Sequence, residues 1–229
     1  MLLSTEITIL IFALILSFSN FYSRKFSKLF IKHKFQILSF GAGNLIALIF
    51  LILLPEILKK SELNIVLFLL LLGFTFFHVL EKFLYQHNHD RKKLYKELKY
   101  LHQIGFFVDH FMIGFILSST LNLDSNFKFF ILVPLFLQTI SSSFSLEYMD
   151  KREKTKFNKM ILSSAPFVGA LSSISLNVEP HIKSYLFAFI MGMLLYIISR
   201  DIIPKKKRGN PFLFLLGVSL ITIIWLNIK

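Results

Sequence analysis

The stretch NIVLFLLLLGFTFF, residues 64–77, is apolar at most positions and carries no charged side chain. A helix of this composition is hydrophobic on every side, as a helix surrounded by lipid must be. A strand of a transmembrane barrel would instead alternate apolar and polar residues over about ten positions. The stretch therefore predicts a transmembrane helix and, with the similar runs on either side of it, an all-α membrane protein.

The composition of the whole chain agrees with this prediction. Of 229 residues, 55% are hydrophobic, and the mean hydropathy is +0.65. This is more apolar surface than a compact soluble domain of the same length could cover with polar groups. There is no cysteine, which excludes a disulfide framework and a thiolate metal site, so any bound metal would need oxygen or imidazole ligands.

A net charge of +13 raises the alternative of a nucleic-acid-binding protein. Such a protein gathers its basic residues on one soluble face. Here the basic residues lie between long apolar runs. We therefore expect the lipid bilayer as the surroundings of the chain and no nucleic-acid partner.

Eight stretches are long enough to cross a bilayer core of about 30 Å, which requires roughly 20 residues of helix. They lie near residues 4–23, 35–58, 62–84, 101–121, 127–147, 159–177, 181–203 and 210–228. The fifth and sixth contain several serines, which are tolerated where membrane helices pack closely. The chain is thus expected to form one transmembrane domain, 1–229, with a short cytoplasmic loop at 85–100.

The distribution of basic residues predicts the orientation of these spans. The first, third, fifth and seventh loops carry 21 of the 26 Lys and Arg residues. By the positive-inside rule these loops lie in the cytoplasm and both chain termini lie outside it. The first stretch has no basic residues before it and no small-residue cleavage site, so we expect a retained helix rather than a signal peptide.

Asp109 is the clearest ionisable residue at membrane depth, near the middle of the fourth predicted span. A charge there costs at least ~2.5 to 3.5 kcal/mol on insertion scales, so it requires a partner or a function. His102 precedes it by two helical turns on the same face, whereas His110 is turned about 100° away. A structural hydrogen-bond acceptor at Asp109 and an interfacial histidine at His102 are the alternatives.

Other polar groups have simpler interpretations. Gln138 and the serines after it are explained by hydrogen bonds between helices. His78 and Glu81 share one face near the cytoplasmic end of the third predicted span, where side chains of this kind extend to the interface. His87, His89 and Asp90 form a loop cluster of candidate metal ligands, for which a solvated basic loop is the alternative. Glu56 and Asp201 are predicted to be boundary residues.

Four segments resemble the ZIP family of divalent-metal transporters. They are FGAGNLIALIFLILLPEIL at 40–58, LLGFTFFHVLEKFLYQHNHD at 71–90, SAPFVGAL at 164–171 and FAFIMGMLLYIISRDIIP at 187–204. They resemble the family's second, third, sixth and seventh helices, in that order. The resemblance covers most of the chain, and it implies a ZIP-like helix bundle with eight spans and both termini outside, as the charge distribution also predicts.

The same resemblance implies a metal centre between the fourth and fifth helices, and there the sequence departs from the family pattern. The family's fourth helix carries His-Asn-x-x-Asp-Gly. Alignment on Asp109 leaves Gly105 in place of His, Phe106 in place of Asn and His110 in place of Gly. Only the aspartate of this motif is retained.

The fifth helix of the family carries His-Glu-x-Pro-x-Glu or a close variant. The best placement here is QTISSS at 138–143, with Gln138 for the histidine and Thr139 and Ser143 for the carboxylates. The candidate metal ligands are therefore Asp109, Gln138, His110 and His102. One carboxylate with a carboxamide and hydroxyls would make a weak, hard site, closer to what Mg²⁺ or Mn²⁺ accepts than to what Zn²⁺ selects.

The resemblance implies transport of a divalent metal ion, such as zinc, iron, manganese or magnesium, across the plasma membrane toward the cytoplasm. It implies no enzymatic step and no resident cofactor, and a homodimer is compatible with it. The alternative is a non-transporting protein that keeps the helical scaffold as a structural or regulatory partner of another membrane protein. An intramembrane enzyme is disfavoured because no second acidic residue at membrane depth completes a known catalytic arrangement.

Overall fold

The computed structural model describes residues 2–29, 31–59, 61–87, 90–120, 135–136, 139, 156–175, 179–204 and 208–228, and every regular element in them is helical. The prediction of an all-α protein is thus confirmed. The helices are α1 (Leu2–Leu29), α2 (Lys34–Leu58), α3 (Leu63–His87), α4 (Arg91–Thr120), α5 (Lys156–Ser175), α6 (Pro180–Ile197) and α7 (Pro211–Ile228). The predicted span at 127–147 lies mostly outside the described residues.

In the described part of the chain, three helical stretches are long and apolar enough to cross a membrane. They are Lys34–Leu58, Leu63–His87 and His181–Arg200. Glu6–Tyr22 and Pro211–Asn227 are apolar as well but shorter. These helices support a membrane protein, while the count of eight spans remains a prediction.

The connection between α3 and α4 is shorter than the predicted loop at 85–100. Helix α3 continues to His87 and α4 begins at Arg91. Asp90 stabilises the start of α4 by accepting a hydrogen bond from the Lys92 backbone N–H at 2.8 Å. One turn into the helix, Lys93 Nζ lies 3.9 Å from Glu97 Oε1. Hydropathy marks where the apolar segment ends, but the helical backbone continues beyond it.

Two helices contain a π-helical segment, and each segment ends two residues before a proline. In α2 the segment is Leu48–Leu53, followed by Pro55. After α6 it is Ile198–Ile202, followed by Pro204. Proline has no N–H to donate, so the regular ladder of hydrogen bonds is interrupted close to it. Single π-helical turns of this kind are frequent at functional sites.

Three helix pairs in the described residues pack at reciprocally placed glycines. A Cβ atom added to any of these glycines would lie only 1.8 to 2.2 Å from a carbonyl oxygen of the partner helix. The pairs are Gly43 with Gly217 (α2 and α7), Gly73 with Gly192 (α3 and α6), and Gly114 with Gly169 (α4 and α5). Close backbone approach at small residues is how membrane helices gain packing energy when lipid supplies no hydrophobic driving force between them.

The helix ends that flank the predicted cytoplasmic loops lie together at one end of the bundle. Lys159 at the start of α5 lies 4.2 Å from the ring centre of Phe21 in the last part of α1. Arg208, before α7, lies 5.6 Å from the ring of Phe35 at the start of α2. The ends of α3 and α6 meet through an ion pair described below. We call this the basic end; that it faces the cytoplasm remains a prediction.

Candidate ion site at Asp109

Asp109 of α4 lines a small cavity inside the bundle and is 7% exposed. The cavity has a volume of about 20 Å³, roughly what one water molecule or one small ion requires. Its walls come from α2, α4, α6 and Leu135, and the other lining residues are Ile49, Leu53, Met112, Ile113, Phe187, Ile190, Met191 and Leu194. Asp109 is the one polar residue among the described residues that line it.

His110 is fully buried beside Asp109 but turns toward a different part of the bundle. Its Nδ1 lies 2.9 Å from the Phe106 carbonyl oxygen and 3.5 Å from Asp109 Oδ2. Donation to the Phe106 carbonyl assigns the proton to Nδ1 and leaves the lone pair on Nε2. Nε2 makes no well-formed hydrogen bond to a described residue, although the backbone of Thr139 approaches the ring. His110 Nε2 is therefore a candidate nitrogen ligand, although His110 does not line the Asp109 cavity.

His102 is separated from Asp109. Its Nδ1 lies 2.6 Å from the Leu98 carbonyl oxygen of its own helix, and its ring meets the edge of Phe77 with 6.5 Å between ring centres. It is 5% exposed and packed between α3 and α4, while its position at the membrane interface stays a prediction. Seven residues correspond to about 10 Å along a helix, and His102 does not line the Asp109 cavity.

Gln138 lies outside the described residues, and so does Ser143. The neighbouring positions that are described lie next to the site: Leu135 lines the cavity, and Thr139 is buried with its Oγ1 donating to the Leu135 carbonyl at 2.9 Å. Among the described residues, no group of three or more His, Asp or Glu side chains could hold a metal ion. Asp109 and His110 are thus the only candidate ligands that the described structure places side by side.

Glu81 lies at the centre of a second polar group, which joins α3 to α6. It is 1% exposed and forms an ion pair with Arg200. Tyr196 Oη donates to Glu81 Oε2 at 2.7 Å, and Arg200 Nη2 donates to Tyr85 Oη at 2.9 Å. His78 Nδ1 lies 3.3 Å from Tyr196 Oη. We call these five residues the Glu81 cluster.

The sequence placed His78 and Glu81 on one face, and both do contact Tyr196. It did not place Glu81 in the interior, because an acidic residue near a helix end normally extends to water. Arg200 and Tyr196 were not identified as partners. Tyr196 and Arg200 are four residues apart, and so are Glu81 and Tyr85 on α3. This shared spacing was the available sequence signal for the pairing, but it does not show that α3 and α6 are neighbours.

The other candidate groups are simple local contacts. His87 Nδ1 lies 3.0 Å from the Phe83 carbonyl oxygen, Asp90 caps α4, and His89 lies outside the described residues. Glu56 Oε2 pairs with Lys59 Nζ at 3.1 Å near the end of α2. The described members of the histidine cluster at 87–90 therefore do not converge on a common ligand position.

Comparisons of the chain with models of protein families, with curated proteins and with solved structures found no match. The ZIP resemblance therefore remains a prediction from the residues quoted above.

Proposed function

We propose that this protein is a ZIP-like transporter that moves a divalent cation across the membrane toward the cytoplasm through a site centred on Asp109. The observation that carries the proposal is a buried carboxylate beside a cavity of about 20 Å³ in the interior of an apolar helix bundle. Ionisable residues at such depth are costly, and they mark ion pathways by default.

The chemistry of the proposed site follows from its donors. Asp109 supplies the negative charge, and the sequence offers Gln138 as a further oxygen donor and His110 as a nitrogen donor. Two of these three donors use oxygen, which suits Mg²⁺ or Mn²⁺ better than Zn²⁺. The apolar remainder of the cavity favours weak binding, as a site that must release its ion requires.

Alternating exposure of the site would use the helices that surround it. Ile49 and Leu53 line the cavity and belong to the π-helical segment of α2. Leu194 lines it as well and precedes the π-helical segment after α6 by one turn. Single π-helical turns are frequent at functional sites, and helices often kink at them. The inward direction is taken from the family resemblance.

The second candidate is a non-transporting member of the same fold that acts as a structural or regulatory partner. It is favoured by one observation: of the ten described residues that line the cavity, nine are apolar. In this case Asp109 serves as an internal hydrogen-bonding group.

Cation uptake into proteoliposomes tests the first candidate against the second. The purified chain is expected to take up Mg²⁺ or Mn²⁺ above protein-free vesicles, and Asp109→Asn is expected to reduce the rate at least tenfold while leaving thermal unfolding similar. Asp90→Asn, at an exposed helix cap, is the matched control and should retain uptake. Absence of uptake for Mg²⁺, Mn²⁺, Fe²⁺ and Zn²⁺ alike would refute transport and support the partner role.

A further inference from the structure

The Glu81 cluster belongs to the basic end of the bundle and lies farther toward that end than the Asp109 cavity. Leu194 of α6 lines the cavity, and Tyr196 and Arg200 follow it by two and six residues. At 1.5 Å per residue, these positions are about 3 and 9 Å farther along the helix. Tyr196 lies near the end of α6 and Arg200 lies in the π-helical segment that follows, and Glu81 of α3 meets both.

Phe77 of α3 packs against Tyr196 of the Glu81 cluster. Its side chain is 1% exposed, and its ring centre lies 5.8 Å from that of Tyr196 and 6.5 Å from that of His102. A Cβ atom at Gly105 of α4 would lie 3.0 Å from Phe77 Cζ and 3.0 Å from Ile197 Cδ1. Phe77 of α3 and Ile197 of α6 therefore meet at Gly105 of α4, so the three helices are in contact here.

Arg200 lies within the π-helical segment Ile198–Ile202. A change of this segment to regular α-helical register alters the rotation of the residues in it, and one residue of an α-helix corresponds to about 100°. Such a rotation would carry the Arg200 guanidinium away from Glu81. Glu81 is buried, and the Arg200 side chain is 24% exposed, so separation would also bring water to a carboxylate that is now dry.

We propose that the Glu81–Arg200 ion pair is the inner gate of the protein. When the pair is intact, it holds α3 against α6 and, with Phe77, closes the Asp109 cavity toward the basic end. When the pair is broken, the cavity opens to the solvent at that end. The inference deepens the proposed function and rests on it only for the identity of what passes the gate.

The absence of cysteine in the chain allows a direct test of gating. Met191→Cys places a single thiol on the cavity wall, at a position that is 2% exposed. The full chain in inverted membrane vesicles is treated with a small, positively charged, membrane-impermeant methanethiosulfonate, and the labelling rate is measured. Adding Arg200→Gln is expected to raise the rate at least tenfold.

Three further variants separate gating from general loosening. The double change Glu81→Arg with Arg200→Glu should return labelling to the slow rate of Met191→Cys alone. Lys59→Gln, which removes an exposed pair outside the basic end, should leave the rate unchanged. Tyr196→Phe keeps the ion pair but removes one hydrogen bond to Glu81, and an intermediate rate is expected even if Arg200→Gln fails to fold.

Equal labelling rates with and without a change at Arg200 or Tyr196 would overturn the inference, and so would fast labelling of the charge-reversed variant. The measurement requires no transported ion. Failure of cation uptake with successful gating would therefore refute the proposed transport and leave the gate standing, and the converse result would refute the gate alone.

Discussion

At the scale of single residues, Asn20 and Pro166 show how one helix completes the hydrogen bonding of another. Pro166 lies inside α5, and because it has no N–H, the Leu162 carbonyl four residues before it loses its usual donor. Asn20 Nδ2 of α1 donates to this carbonyl at 3.2 Å. Within a bilayer no water is available for the task, so a side chain from a neighbouring helix provides the donor.

Replacement of Asn20 by Leu is therefore expected to destabilise the protein by about 1 kcal/mol. The reason is that the Leu162 carbonyl loses a donor while remaining in an apolar environment. The measurement is unfolding of the purified protein in mixed micelles. In the Asn20→Leu, Pro166→Ala double variant the residue at 166 regains its N–H, so the loss caused by Asn20→Leu should be smaller in that background. Equal losses in both backgrounds would contradict the explanation.

Asp109 is a candidate site residue that the sequence identifies without knowledge of its neighbours. Its depth in an apolar span identified it from the sequence, and the structure places it at a cavity. The sequence grouped His102 with it because both lie on one face of α4. The structure separates them, since a shared face two turns apart does not bring side chains into contact and His102 is held by the Leu98 carbonyl and Phe77.

At the scale of helices, the reciprocal glycines determine which faces meet. Gly114 and Gly169 are the tightest example: a Cβ atom on either would lie 1.8 Å from a carbonyl oxygen of the other helix. These contacts are with backbone atoms, which cannot rotate away as a side chain can. The distance between α4 and α5 is therefore set by the absence of a side chain at both positions.

Gly114→Ala and Gly169→Ala are each expected to destabilise the protein by about 1 to 3 kcal/mol, because the two backbones must move apart. Thermal unfolding in detergent measures the effect. Gly209→Ala is the matched control, because its nearest neighbour, the Pro204 carbonyl oxygen, would be 3.2 Å away. A loss at Gly209 equal to that at Gly114 would show that helix contact is not the cause.

The π-helical segments also belong to this scale. Each segment lies just before a proline, in LLPE and in DIIP. These prolines are a sequence signal for an irregular helix at both places. Proline alone does not distinguish a π-helical turn from a kink or a helix end. The packing of α2 and α6 around the cavity decides between these outcomes.

At the scale of the whole molecule, the basic residues predict the topology. The helix ends next to the basic loops meet at one end of the bundle through the contacts of Phe21, Phe35 and Glu81. Any bundle of antiparallel helices joined by short loops brings alternate loops to one end, so the orientation in the membrane stays a prediction from the charges.

Single cysteines introduced in the cysteine-free chain are expected to report this topology in intact cells. Glu62→Cys, at an exposed position between α2 and α3, should react with a membrane-impermeant maleimide added outside. Asp90→Cys, between α3 and α4, should react only after permeabilisation, because the basic loops are retained in the cytoplasm. The reverse pattern would show that the orientation is inverted, and equal reaction of both would refute the third span.

The sequence alone determined the helical class, the apolar character of several helices and the segregation of charge, and it singled out Asp109. These properties depend on local composition, because each segment forms its own backbone hydrogen bonds and partitions into lipid by itself. The tertiary structure alone decided that Glu81 is paired with Arg200 and that His102 is separated from Asp109. It also decided that Asn20 donates a hydrogen bond to the Leu162 carbonyl, which Pro166 leaves without its usual donor. These outcomes depend on which surfaces match between helices far apart in the chain, and small residues spread along several helices leave many pairings open until the helices are packed.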